Sequence, residues 1–185
     1  PRKAAQGRAR DIRYCVSCNS CWRTIIQDKP LSCDNNPRVA QADELDEHWP
    51  AAPSPRRIVV VGAGIAGMQA AVTAAMRGHT VKVWGSSAEV GGKTRLMAQL
   101  PLSESMSSIY DHQWITAQRL GVGFQLGRMA TAGDVLAWQP DTVVLATGAQ
   151  MTWPQDLPAE LQNLGMVPDL RQAMAELLTH RGPLS

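Results

Sequence analysis

The stretch RRIVVVGAGIAGMQAAVTAAMRGHTVKVW, residues 56–84, leaves this chain few folds to choose from. Residues 58–61 are a β-branched apolar run, suited to a parallel strand buried on both faces. Gly62-Ala63-Gly64-Ile65-Ala66-Gly67 follows at once. An alanine-rich helix over 68–77 then ends at Gly78, and residues 80–84 form the next strand. A G-x-G-x-x-G turn inside a βαβ unit is a dinucleotide fingerprint; outside that frame it carries little weight. Gly62 permits the tight turn, Gly64 lets backbone approach a pyrophosphate, and Gly67 lets helix pack on strand. The helix start offers free N–H groups to phosphate oxygens. The fold class is therefore α/β, a Rossmann-like FAD- or ADP-binding domain on a parallel sheet. The open alternative keeps the same glycines for packing alone.

The second strand of such a unit usually ends in Asp or Glu, which binds the ribose. Here that place is Gly85, followed by Ser86 and Ser87. Loss of the acid predicts weaker nucleotide binding or an altered preference, with serine as a substitute hydrogen-bonding group. Gly91-Gly92-Lys93 gives a second backbone approach to the diphosphate. Lys93 either adds positive charge there or is a solvated lysine.

Upstream, YCVSCNSCWRTIIQDKPLSCD, residues 14–34, holds all four cysteines as C-x2-C-x2-C-x11-C. Cys15, Cys18 and Cys21 wrap one corner of a cubane, and Cys33 closes it from a loop. Four-thiolate sets containing a C-x2-C-x2-C run hold iron–sulfur clusters, which predicts 4Fe–4S. The alternative is structural zinc, although zinc sites usually pair two separated C-x2–4-C knuckles. Nothing suggests secretion, which disfavours disulfides. A helix over 19–27 carries Trp22, Ile25 and Ile26, which either cover the cluster or simply pack. Tyr14 and Trp22 are candidates for an electron route.

The remaining chain adds further α/β elements. Residues 94–99 and 105–120 read as helices, the second with an apolar stripe of Met106, Ile109, Trp114, Ile115 and Leu120. His112 within it is assigned a surface or packing role. Residues 122–126 and 141–146 read as strands, with Thr131 capping a helix between them. Residues 150–167 read as irregular, and 169–180 as a last helix stopping at Arg181-Gly182-Pro183. The implied organisation is 1–49 iron–sulfur segment, 50–56 linker, 57–150 nucleotide domain, and 151–185 connecting segment and helix.

Composition narrows the function. Hydrophobic residues make up 44% of the 185, enough for a core, and net charge is only +2. A basic start (Arg2, Lys3, Arg8, Arg10, Arg13) and an acidic run (Asp43, Glu44, Asp46, Glu47) read as solvated segments. No basic surface with interleaved aromatics points to nucleic acid. No signal peptide is visible, and no run reaches the ~20 apolar residues of a membrane span. A cytoplasmic, reducing setting suits the thiols. The first residue, Pro1 rather than Met, reads as a fragment or processed piece.

RARDIRYCVSCNSCW, VVVGAGIAG, the GG turn and MATAGDVLAWQPDTVVLATGA, in that order, resemble the C-terminal half of the trimethylamine dehydrogenase and 2,4-dienoyl-CoA reductase family. The resemblance runs from Arg8 to about Ala149. It implies an FMN-containing TIM barrel upstream and a second nucleotide-binding part after the ATG strand. It implies that Cys15, Cys18, Cys21 and Cys33 ligate the cluster and that Gly62, Gly64, Ala66 and Gly67 cradle the diphosphate. It sets Lys93 at the family's position after the glycine pair, Met129 near the adenine, and Gly85 where the ribose carboxylate stands. The implied function is the electron-transfer portion of an oligomeric iron–sulfur flavoprotein. It would exchange electrons with an electron-transfer flavoprotein or similar carrier, with no catalytic residue of its own. N-methylated amine oxidation is preferred, because MATAGDVLAW resembles that branch. A 2,4-dienoyl-CoA or enoate reductase is the runner-up. A zinc-stabilised assembly subunit is the reading from another class, and a complete small NAD(P)H reductase lacks its second glycine-rich motif.

Overall fold

The computed structural model describes residues 2–40, 49–150, 169–180 and the single positions 152, 156, 158 and 160. The acidic run at 43–47, most of the irregular stretch and the stop at 181–183 lie outside the described residues. Helices α1 (Arg2–Ala5) and α2 (Ser20–Ile26) come first, with a 3-10 turn at Ala9–Asp11 between them. Then follow β1 (Arg57–Val61), α3 (Ile65–Met76), β2 (Thr80–Trp84) and α4 (Lys93–Met97). The order continues with α5 (Ser107–Arg119), β3 (Gly123–Gln125), α6 (Ala132–Ala137), β4 (Thr142–Leu145) and α7 (Leu170–His180).

The four strands form one parallel sheet in the order β3-β2-β1-β4. Because strand side chains alternate, β1 feeds both faces. Ile58 and Val60 join Val81 and Val83 on the face covered by Met68, Ala71 and Val72 of α3 and Ala117 of α5. Val59 faces the other way, with Trp84 and Val135. Val59, Val60, Met68 and Val83 are fully buried. Each stabilises the fold by about 1.5–3 kcal/mol relative to exposure. This is the parallel α/β architecture that the sequence implies.

Two elements differ from the sequence reading. Helix α3 starts at Ile65 and not at residue 68, because Gly64 is already its N-cap. Half of the glycine motif is thus helix. Helix α5 only half-buries the apolar stripe. Its buried residues are Ser108, Tyr110, His112, Gln113, Thr116 and Ala117, while Leu120 is exposed. The cause is that this face serves polar partners. Gln113 Nε2 donates to the Ile65 carbonyl at 3.0 Å, and Ser108 and His112 receive the cysteine segment. Buried polar groups persist where such partners exist. Trp114 instead packs on Phe124, with ring centroids 4.7 Å apart.

Candidate functional site

The glycine turn is built by backbone meeting backbone. Gly62 has φ +116°, and a Cβ there would lie 2.0 Å from the Ala146 carbonyl oxygen. A Cβ on Gly67 would lie 1.9 Å from the Gly62 oxygen and 3.2 Å from Ala146 Cβ. Both positions therefore tolerate only glycine in this packing. The partner is the first residue after β4, whose N–H donates to the Val61 carbonyl at 2.8 Å. The ATG segment and the glycine motif are thus one interlocked unit, a link the sequence did not reveal. Gly64 differs, since a Cβ there would meet nothing within 4 Å. It borders open space at the first turn of α3, where no side chain caps the helix. Uncapped N–H groups at such a turn suit an anionic ligand. Ala63 is buried behind the turn, and Ala66 is exposed on the helix's first turn.

The second glycine pair closes onto the first. Gly91 N–H donates to the Ala63 carbonyl at 2.9 Å, and Gly64 and Gly91 form a parallel bridge. A Cβ on Gly92 (φ +56°) would lie 3.1 Å from Gly64 Cα. One on Gly91 would lie 2.9 Å from the Tyr110 ring of α5. The pair's first role is this close approach, which lines the turn with backbone. Lys93 begins α4 and is exposed.

Gly85 is confined as well as uncharged. A Cβ there would lie 2.7 Å from Ala63 Cβ and 2.9 Å from Leu126 Cδ2. The loop after β3 wraps this spot, with Gly127 N–H donating to the Ser87 carbonyl at 2.9 Å and Arg128 N–H to the Gly85 carbonyl at 3.3 Å. Ser86 and Met129 are both exposed there. Arg128 pairs with Asp134, and its guanidinium stands 5.7 Å from the Trp84 ring centroid. The Arg128 guanidinium first, then the Thr131 backbone and hydroxyl, hold the Asp134 carboxyl well below the usual carboxylate range. The structure therefore brings Gly62, Ala63, Gly64, Ala66, Gly67, Gly92 and Lys93 to the ends of β1 and α3. It sets Ser86 and Met129 beside them at the ends of β2 and β3.

The cysteine segment is separate from that turn. All four cysteines are free thiols; Cys15 and Cys18 are exposed, Cys21 and Cys33 half-buried. Ser17 and Asn19, on either side of Cys18, both sit at φ 58°, which bends the run and delays α2 until Ser20. Ser17 N–H donates to Cys15 Sγ at 3.3 Å, and Asn36 N–H to Cys33 Sγ at 3.4 Å. Ser20 Oγ donates to Asp34 at 2.5 Å. The Ser20 hydroxyl first, then the Cys18 thiol, hold the Asp34 carboxyl below its usual range. The donor set, four soft thiols with N–H groups aimed at two of them, fits a thiolate-bound group. No three His, Cys, Asp or Glu side chains among the described residues stand where they could share a single metal ion. Trp22, Ile25 and Ile26 are exposed, and α2 buries none of its residues. Among the described residues nothing buries these three side chains.

Sequence reasoning missed what anchors this segment: Arg13, Asn35, Ser108 and His112. Asn35-Asn36-Pro37 reads as an ordinary loop, and polar residues on a helix give no sign of being buried. His112 is buried, in keeping with a packing role.

A parallel sheet with a side-chain-free glycine turn at the end of its central strand defines a dinucleotide-binding redox domain. The chain belongs to the pyridine nucleotide-disulphide oxidoreductase family, whose model matches residues 56–179. That membership points to FAD or NAD(P) as the nucleotide. The chain is 38% identical over 167 residues to an NADH oxidase of Thermoanaerobacter brockii, covering 88% of this chain and 25% of that protein. It is 37% identical over 147 residues to a probable N-methylproline demethylase of Rhizobium meliloti (strain 1021), covering 80% and 22%. A solved 2-naphthoyl-CoA reductase complex superimposes with TM-score 0.75 at 33% identity, covering 84% of this chain and 24% of that one. The chain spans about a quarter of the length of the relatives it matches. The amine-demethylating and CoA-ester-reducing names among them bear out the resemblance to the trimethylamine dehydrogenase and 2,4-dienoyl-CoA reductase family. Among the described residues no helix is long and apolar enough to cross a membrane.

Proposed function

We propose that this chain is the electron-transfer portion of an iron–sulfur flavin-dependent oxidoreductase. Cys15, Cys18, Cys21 and Cys33 hold a 4Fe–4S cluster, and the glycine turn holds the ADP half of FAD, or ADP itself. One observation carries the reading: helix α5 touches both sites. Ser107 and Ser108 hold the cysteine segment, and Tyr110, two residues on, packs against Gly91 of the nucleotide loop. The cysteine spacing, three ligands in one run and a fourth alone, favours a cluster over zinc, whose sites usually pair two separated knuckles. Tetrahedral zinc draws four sulfurs to about 2.3 Å from one centre, whereas a cubane takes each thiolate on its own iron.

A cluster bound there would supply one-electron transfer between a two-electron flavin and an external carrier. The chain's own residues hold the thiolates, exclude side chains from the diphosphate path and fix the two sites on one helix. The substrate chemistry belongs to an FMN-containing barrel, and an electron-transfer flavoprotein or similar carrier is the electron partner, in a cytoplasmic oligomer. N-methylated amine oxidation is the preferred substrate class, supported by MATAGDVLAW and by the demethylase among the relatives. Enoate or enoyl-CoA reduction is the second reading, supported by the reductase superposition.

The test is metal analysis of anaerobically purified protein, with EPR after dithionite reduction. About four irons and four acid-labile sulfides with a reduced-cluster signal are expected. Stoichiometric zinc without iron, persisting through anaerobic reconstitution, overturns the reading in favour of a structural domain.

A further inference from the structure

The two ends of the cysteine segment are drawn together by one buried polar network. Asn35 is 6% exposed. Its Nδ2 donates to the Tyr14 carbonyl at 2.8 Å and to Ser108 Oγ at 3.0 Å. Ser108, 1% exposed, donates in turn to the Tyr14 carbonyl at 3.0 Å. Arg13 Nη1 donates to the Asn35 carbonyl at 2.9 Å, and its Nε to His112 Nδ1 at 3.1 Å. Tyr14 immediately precedes Cys15, and Asn35 follows Cys33 by two residues.

Asn35 therefore ties the carbonyl before the first cysteine to the chain just past the last one. Both are seated on the same turns of α5. The intervening α2 buries nothing, so it does little to hold the loop shape itself. Closing a flexible loop of this length costs conformational entropy that grows as the logarithm of its length. A bond made before any metal arrives removes that cost from the binding step. An apolar residue would fill the same space without fixing the register of Cys15 against Cys33, because only directed donors specify one pairing.

We infer that Asn35, seated by Ser108 and Arg13, is a positioning residue that closes the cysteine loop and sets Cys15 against Cys33 for a four-thiolate centre. The inference rests on the proposed cluster only for the identity of the centre.

The experiment compares the whole chain, purified anaerobically, as wild type, Asn35→Ala and Ser108→Ala. In Asn35→Ala, iron release to excess chelator should be at least about tenfold faster, the usual effect of losing a group that orients a ligand. The cluster's midpoint potential should rise as water gains access. ADP affinity should stay at the wild-type value, because the glycine turn is untouched. Ser108→Ala, which keeps the bond from Asn35 to Tyr14, should shift release in the same direction by less. Wild-type release rates and potential in both variants, with only a lower melting temperature, would mark the network as plain packing and overturn the inference. Iron content of the wild type reports separately on the cluster. If the wild type holds no iron, iodoacetamide alkylation followed by mass spectrometry still reads the loop. Faster modification of both Cys15 and Cys33 in Asn35→Ala upholds closure, and unchanged rates overturn it.

Discussion

The glycine turn and the cysteine segment lean on the same helix, but by opposite means. At the turn, Gly91 presses backbone against the Tyr110 ring, and Gly62 and Gly67 press backbone against backbone. At the cysteine segment, Asn35, Arg13 and Ser108 reach across with side-chain hydrogen bonds, and α2 contributes no buried residue. The first region is specified by what is missing, a Cβ, and it sits on an apolar core. The second is specified by donors and acceptors, and its exposed Trp22, Ile25 and Ile26 give it little apolar support. A site that must accept a rigid diphosphate gains from close, immovable backbone. The proposed cluster site gains its shape from directed bonds.

Substitutions separate the two regimes. The largest effect is expected at Gly67→Val, whose Cβ would lie 1.9 Å from a backbone oxygen. The chain should lose about 3 kcal/mol or more of stability, read by urea unfolding, since backbone cannot step aside as a side chain can. A loss under 1 kcal/mol (~) would show that the interlocked turn yields. Next comes Gly64→Ala, where the added methyl meets nothing within 4 Å. Stability should fall by about 1 kcal/mol or less, because alanine caps a helix less well than glycine. ADP affinity by calorimetric titration should fall about tenfold or more, equivalent to about 1.4 kcal/mol. Equal affinities would remove the diphosphate from this turn.

The smallest effects lie at the capping box of α6. Thr131 accepts from the Asp134 N–H at 3.1 Å, and Asp134 accepts from the Thr131 N–H at 3.0 Å. Thr131→Ala should cost about 1 kcal/mol. Asp134 has a folded pKa below its ordinary 3.8, because Arg128 and Thr131 favour the carboxylate. Its contribution is therefore complete above that ordinary value and is lost as pH falls through the lower folded one. Melting temperatures of wild type and Asp134→Asn should converge as pH drops from about 5 to about 2. A constant gap across that range would deny the carboxylate its role.

Some of this was legible in the residues. The β-branched run at 58–61, the glycine spacing and the second strand predict β1, the turn and β2 with nearly the observed bounds. Thr131 at the start of α6 is likewise readable, because a cap is a local hydrogen bond. The buried face of α5 was not. Met106, Ile109 and Ile115 make the more apolar stripe, yet Ser108, His112 and Gln113 are buried because their partners come from Tyr14, Arg13, Asn35 and Ile65. No periodicity encodes a partner nearly a hundred positions away.

Local sequence, then, determined where the chain turns, which strand is central and which residue types are available as thiolate and backbone donors. These follow from backbone sterics and short-range hydrogen bonding. Tertiary structure alone decided that Ala146 locks Gly62 and Gly67, that Gly85 is hemmed in by Ala63 and Leu126, and that Asn35 meets Tyr14 on α5. Each of these is a contact between segments distant in the chain, and its energy exists only once the sheet has brought them together.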